Sequence, residues 1–219
     1  MFDREKELLP VYPSTPHYNA ETDREWIEKG KPYVDMLIEE KLDGANCAMY
    51  LDKEGPVIRN RRYILRKGYK KDTKAKDQFK SVWTWFYENE SCFEKLAKIG
   101  NYSVYGEWLA YTHVVHYDKL PSLFIAYDLY DIDNKRFMGC SDPAFTLDTL
   151  YESGFQIPGP GIPHFVINGI FHTSFFSSTD DLEGWIIKGN GRQVKLVRPD
   201  FKQIEWLDSP VVKNKIIKV

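Results

Sequence analysis

The residue with the clearest chemical potential is Lys41, in the run Glu40-Lys41-Leu42-Asp43-Gly44-Ala45-Asn46. A lysine is a nucleophile only when neutral, and an unperturbed ammonium is almost wholly protonated at pH 7. Burial or nearby positive charge, a metal ion included, would have to lower its pKa. Val34, Met36 and Ile38 alternate and predict a strand that ends near Lys41, which would deliver a long side chain at a strand end. Gly44 would let the backbone turn there and approach a ligand closely. Taken alone, the run is better explained as a strand-end lysine beside an Asp-Gly turn, a common arrangement.

Other charged residues sit in apolar company. Glu107 lies in Val104-Tyr105-Gly106-Glu107-Trp108, Glu183 precedes Gly184-Trp185-Ile186-Ile187-Lys188, and Lys195 stands between Val194 and Leu196. Burying an unpaired charge is expensive, so these positions favour a ligand or metal over a purely structural role. His113 and His116, near Asp118, have no third ligand at a metal-site spacing and read as structural or lip residues. Cys47, Cys92 and Cys140 form no C-x-x-C pair and read as reduced, buried thiols of an intracellular protein. Trp83, Trp85 and Phe86 are assigned to helix packing.

The elements that must position these groups are mixed. The chain has 219 residues, 42% hydrophobic and 15% aromatic, as expected for one packed globular domain. No apolar run approaches the roughly 18 residues of a membrane helix, and the charged N-terminus carries no secretory signal. Residues up to about Ala20 are rich in Pro and Tyr and read as irregular. Residues 47–51 and 57–61 flank the turn Asp52-Lys53-Glu54-Gly55 and predict a hairpin. Phe79, Val82, Trp83 and Phe86 predict a helix running on to Gly100. Residues 103–111 and 123–131 read as strands, and Asp142-Pro143 opens a helix that stops at Gly154. Residues 183–188 and 193–197 bracket Gly189-Asn190-Gly191 as a second hairpin. The net charge of −2 hides two basic blocks, one from Arg59 to Lys80 and one from Lys188 to the C-terminus, that could neutralise phosphates.

In order and separation, these segments and the cluster Arg59-Asn60-Arg61-Arg62 resemble motifs I, Ia, III, IIIa, IV and V of the covalent ligase and capping-enzyme superfamily. There, K-x-D-G marks the lysine that takes a nucleotide through a phosphoramidate bond. The likeness is greatest to RNA ligases of the T4 RNA ligase 2 type and runs from about residue 34 to residue 197. It implies an α+β fold: an ATP-grasp-like ligase adenylation (nucleotidyltransferase) domain of antiparallel sheets flanked by helices. With only about 22 residues beyond motif V, residues 1–219 are expected to form that single domain, without an appended C-terminal OB or helical domain.

By the same resemblance, Lys41 would carry AMP, with Glu40 and Asn46 binding nucleotide around it. Arg61 best matches the motif Ia arginine, with Arg59 and Arg62 near enough to compete. Glu107 would accept hydrogen bonds from ribose hydroxyls and Tyr127 would stack on adenine. Lys195, and Lys188 as a further candidate, would contact phosphate, and Glu183 would bind a metal. The second lysine of motif V is replaced by Val197, with Arg198 beyond it. The implied reaction is ATP-dependent sealing of RNA: AMP is taken from ATP with Mg²⁺ or Mn²⁺, passed to a 5′-phosphate, and released when a 3′-hydroxyl attacks. Partners would be RNA or nicked nucleic acid with such ends, an accessory protein supplying end recognition, and no membrane. The location would be the cytoplasm, of a host cell if the chain is viral. A DNA ligase and an mRNA capping guanylyltransferase are the alternatives. A non-catalytic nucleic-acid-binding module is disfavoured by the joint presence of Lys41, Glu107, Glu183 and Lys195.

Overall fold

The structure is a computed structural model and describes residues 7–29, 36–66, 79–159, 177, 182–198, 201 and 212–216. Two antiparallel sheets face a common cleft, and the segment containing Lys41 passes directly from one to the other. Strand β1 (Leu37–Lys41) pairs with β8 (Gly184–Gly189), which pairs with β9 (Arg192–Val197). The second sheet has six strands in the order β4-β3-β2-β5-β6-β7. Its members are β2 (Ala45–Asp52), β3 (Gly55–Asn60), β4 (Ile64–Arg66), β5 (Tyr102–Trp108), β6 (Phe124–Asp131) and β7 (Arg136–Phe137). The expected α+β architecture of antiparallel sheets flanked by helices is therefore the one observed.

Local chemistry explains several elements. The β8–β9 hairpin turns at Asn190 and Gly191, with φ of 50° and 74°, the left-handed pair that a two-residue turn requires. Helix α4 (Pro143–Ser153) is capped by Asp142, whose side chain accepts from Phe145 N, and ends at Gly154 with φ of 93°. Helix α1 (Ala20–Lys29) was not foreseen in the sequence, because Trp26 and Ile27 are the only large apolar residues in it. Asn19 caps it, with Oδ1 accepting from Glu21 N at 2.9 Å.

The single helix expected up to Gly100 is instead two, α2 (Val82–Glu88) and α3 (Glu90–Ile99). Asn89 breaks it: its side-chain amide donates to Trp85 O at 2.8 Å, while its carbonyl accepts from Cys92 N and starts the next turn. The expectation that helix packing claims Trp85 and Phe86 holds, since both are buried in the main core. Trp85 also donates to Ser122 Oγ.

Each sheet has an apolar face turned from the cleft. Met49, Ile58, Val104, Phe124 and Leu129 of the large sheet pack with α2, α3 and α4. Ile38, Trp185, Ile187 and Val194 of the small sheet pack against Ile27 of α1. The other face of the large sheet lies beneath residues 8–12, with Leu8, Leu9, Ala48 and Tyr105 in one cluster. The expected strand start at Val34, the basic residues from Lys67 to Lys76 and residues 199–200, 202–211 and 217–219 of the C-terminal basic segment fall outside the described residues. No described helix is long and apolar enough to cross a membrane.

Candidate active site

Period-2 alternation aims one face of the small sheet into the cleft: Glu39 and Lys41 from β1, Ile186 and Lys188 from β8, Gln193 and Lys195 from β9. The large sheet contributes Asn46 and Glu107, which are register partners on β2 and β5. Between the sheets lies a cavity of about 710 Å³, of a size suited to a small-molecule ligand. All nine residues expected from the sequence line it: Glu40, Lys41, Asn46, Arg61, Glu107, Tyr127, Glu183, Lys188 and Lys195.

Lys41 Nζ lies 2.6 Å from Glu183 Oε1. Burial raises the Glu183 pKa, against the opposing pull of Lys41. Glu107 is pushed up to about 8, by burial first, with Lys41 pulling it down and the Glu183 and Asp43 charges adding to the rise. Carboxylates thus crowd around the Lys41 ammonium, with Lys195 adding a weaker pull on Glu183, an arrangement that an added cation would relieve. Among the described residues, no three His, Cys, Asp or Glu side chains gather as a metal cage. An ion such as Mg²⁺ is commonly held by one or two carboxylates plus phosphate and water, and Glu183 in the cavity could be one of them.

Gly44 serves packing at this turn. A Cβ there would meet Trp108 O at 2.8 Å and Glu107 Cγ at 2.9 Å, so only glycine lets motif I close onto the end of β5. Asp43 holds the facing loop. Its Oδ2 accepts from Val114 N at 2.6 Å and Val115 N at 2.8 Å, and its own N–H donates to Tyr117 Oη at 2.8 Å. His113, on that loop, brings Nδ1 to 3.9 Å from Asp43 Oδ1 and lines the cavity. His116 turns instead to Thr112 Oγ1 at 2.9 Å, so the two histidines do not act as a metal pair.

A β-bulge aims Tyr127. Tyr105 pairs with Asp128 and Gly106 with Ala126, leaving Tyr127 as the extra residue of β6. Its ring reaches the cavity, with Asn46 Nδ2 donating to its hydroxyl. Lys188, expected at phosphate, lines the cavity beside the aromatic wall. It is 1% exposed, its ammonium pairs with Glu39, donates to Tyr127 O at 2.7 Å and lies 4.9 Å from the Tyr127 ring centroid. Burial opposes its charge, but Glu39 and Asp128 more than offset this and hold its pKa above the usual lysine value. With its ammonium held by Glu39 and the Tyr127 carbonyl, Lys188 supports the aromatic wall.

The arginine cluster sorts itself by contact. Arg59 donates to Leu9 O at 3.0 Å. Asn60 Oδ1 accepts from Arg62 N at 2.9 Å and Tyr63 N at 2.7 Å, and this bend presents Arg61 and Arg62, both exposed, at the cavity rim. Sequence reasoning missed Glu39, Tyr12, Asn60 and Gln193. Glu39 alone had a signal, its two-residue offset from Lys41 in a strand.

Residues 34–209 match the model of a family described as RNA ligase. None of the curated proteins matches the chain. Among solved structures, the fold is similar to Naegleria gruberi RNA ligase with PPi, at 16% identity and a TM-score of 0.59, over 87% of this chain and 58% of that one. It is also similar to a lysine-to-alanine mutant of that ligase with ATP and Mn, at 18% identity and a TM-score of 0.55, over the same shares of 87% and 58%. A lysine-to-methionine mutant with AMP and Mn aligns at 17% identity and a TM-score of 0.51, again over 87% and 58%. At these identities the likeness is one of fold, and this chain spans 58% of the length of the proteins it matches.

Proposed function

Because the chain belongs to the RNA ligase family, we propose that it catalyses ATP-dependent joining of RNA ends, with Lys41 as the residue that carries AMP. The observation that carries this reading is the contact between Lys41 Nζ and Glu183 Oε1, 2.6 Å apart inside a cavity lined by Glu107, Tyr127 and Lys195. A lysine nucleophile must shed a proton, and Glu183, whose pKa burial raises, sits within reach to take it. The Lys41 nitrogen then bonds to the α-phosphorus of ATP, the bond to the bridging oxygen breaks, and pyrophosphate leaves. Lys195 and Arg61, both at the cavity, would offset the phosphate charge. Glu107 would accept from ribose hydroxyls, and Tyr127 would present its ring to the base.

A divalent cation held by Glu183 would supply further charge neutralisation for the transferring phosphate. The AMP would next pass to a 5′-phosphate end and be displaced by a 3′-hydroxyl. The arginines at the rim are the reading's contacts for the RNA backbone, giving salt-sensitive affinity. RNA-specific sealing is the part to test first. Strands with RNA or DNA on the 3′-hydroxyl side, incubated with protein, ATP and Mg²⁺, distinguish the outcomes. Joined RNA product from the wild type and none from Lys41→Ala is expected; joining of DNA alone would transfer the reading to a DNA ligase.

A further inference from the structure

The connection from β5 to β6 is held from two sides. On one side stands the turn that follows Lys41. Asp43 accepts from Val114 N and Val115 N and donates its own N–H to Tyr117 Oη, while Leu42 packs with Leu109, Val115, Tyr117 and Leu120. On the other side lies the segment of residues 212–216. Thr112 N donates to Val212 O at 2.8 Å, Lys215 N to Tyr117 O at 2.9 Å and Leu120 N to Lys215 O at 3.2 Å.

Packing alone would turn the apolar side chains of that segment inward, yet Val212 and Ile216 are 43% and 46% exposed and the buried residue is Asn214. Asn214 Oδ1 accepts from Thr112 Oγ1 at 2.8 Å and from Tyr117 N at 3.0 Å, and Nδ2 donates to Leu109 O at 2.9 Å. A backbone N–H can only donate and a carbonyl can only accept, so these partners fix which way the amide faces. A satisfied buried amide imposes a geometry that apolar contact does not. Tyr117, fully buried, passes that geometry on: its N–H is held by Asn214, its carbonyl by Lys215, and its hydroxyl meets Asp43 N, two residues from Lys41. Asn214 lies beyond residues 34–209, the stretch that matches the family.

We propose that Asn214 is a positioning residue for nucleotidyl transfer: through Tyr117 it fixes Asp43, and with it the strand end that presents Lys41 to the α-phosphorus. The inference rests on the reading of the chain as an adenylyltransferase. It is tested on the full chain by single-turnover covalent labelling across a range of ATP concentrations with Mg²⁺. Asn214→Ala lowers the limiting rate constant by about 10- to 100-fold, as a misplaced nucleophile does. The ATP concentration for half-maximal rate stays within about 2-fold, and the final AMP per chain is unchanged. A merely structural role gives the opposite split, with fewer chains labelled at an unaltered rate constant. Tyr117→Phe keeps the ring in the core, loses only the contact with Asp43 N, and lowers the rate constant by roughly 3- to 10-fold. It decides the matter where Asn214→Ala yields no folded protein. Because both variants cut one route, the double variant loses less than the product of the two effects. An unchanged rate constant in Tyr117→Phe or in folded Asn214→Ala, with the wild type labelled, overturns the inference alone. No label on the wild type overturns nucleotidyl transfer itself and the inference with it.

Discussion

Lys188 holds its buried ammonium 4.9 Å from the centroid of the Tyr127 ring, and Glu39 is its counter-ion. The strand bearing Lys188 thereby buttresses the aromatic wall from below. Removing one member of a buried pair leaves an uncompensated charge. Lys188→Met is expected to destabilise the protein by about 3–5 kcal/mol in urea unfolding, and adding Glu39→Gln to recover part of that loss. A single variant as stable as wild type would remove the buttress from the account.

Tyr127 is expected to act through its ring. Tyr127→Phe loses the bond from Asn46 and keeps the π face, so the KM for ATP changes little. Tyr127→Leu loses base stacking, worth about 1–3 kcal/mol, and raises that KM by roughly 5- to 150-fold. Equal behaviour of the two variants would deny Tyr127 a stacking role.

Glu107 makes stability depend on pH. Its carboxyl is shifted from an ordinary value near 4.5 to about 8 in the folded protein, chiefly by burial. The folded state therefore holds this proton more tightly than the unfolded one. Its contribution is complete below pH 4.5 and is lost as pH rises towards 8. Glu107→Gln, which cannot ionise, is expected to lose less stability than wild type between pH 5 and 8. Parallel stability curves for the two proteins would contradict the shift.

Asp43 is expected to be felt in the facing loop. Asp43→Ala strips the acceptor from the Val114 and Val115 amides, at a cost of about 1–3 kcal/mol for each buried donor left unpaired. Hydrogen exchange at these amides should accelerate in the variant, with labelling of Lys41 reduced. Unchanged protection would show that the loop is held by other contacts.

Much of the site was legible because it follows local rules. Lys41 at a strand end, the Asn190-Gly191 turn and the Asp142 cap each follow from neighbouring residues. The β-bulge at Tyr127 was not, because it depends on how β6 pairs with β5 rather than on residues 124–131 alone. Tyr12 gave no signal at all, since its partners Asp128 and Gln193 lie 116 and 181 residues away. Lys188 was placed in the right cavity, but its ion pair with Glu39 was not foreseen. Its counter-ion stands on β1, and a pairing between distant strands leaves no mark in either segment.

The most direct test is peptide mapping by mass spectrometry after incubation with ATP and Mg²⁺, with denatured protein used to retain only covalent adducts. The account predicts one AMP, on the peptide that contains Lys41, released by pyrophosphate and absent from Lys41→Ala. AMP on another residue, or an unmodified Lys41 in protein that seals RNA, would contradict it.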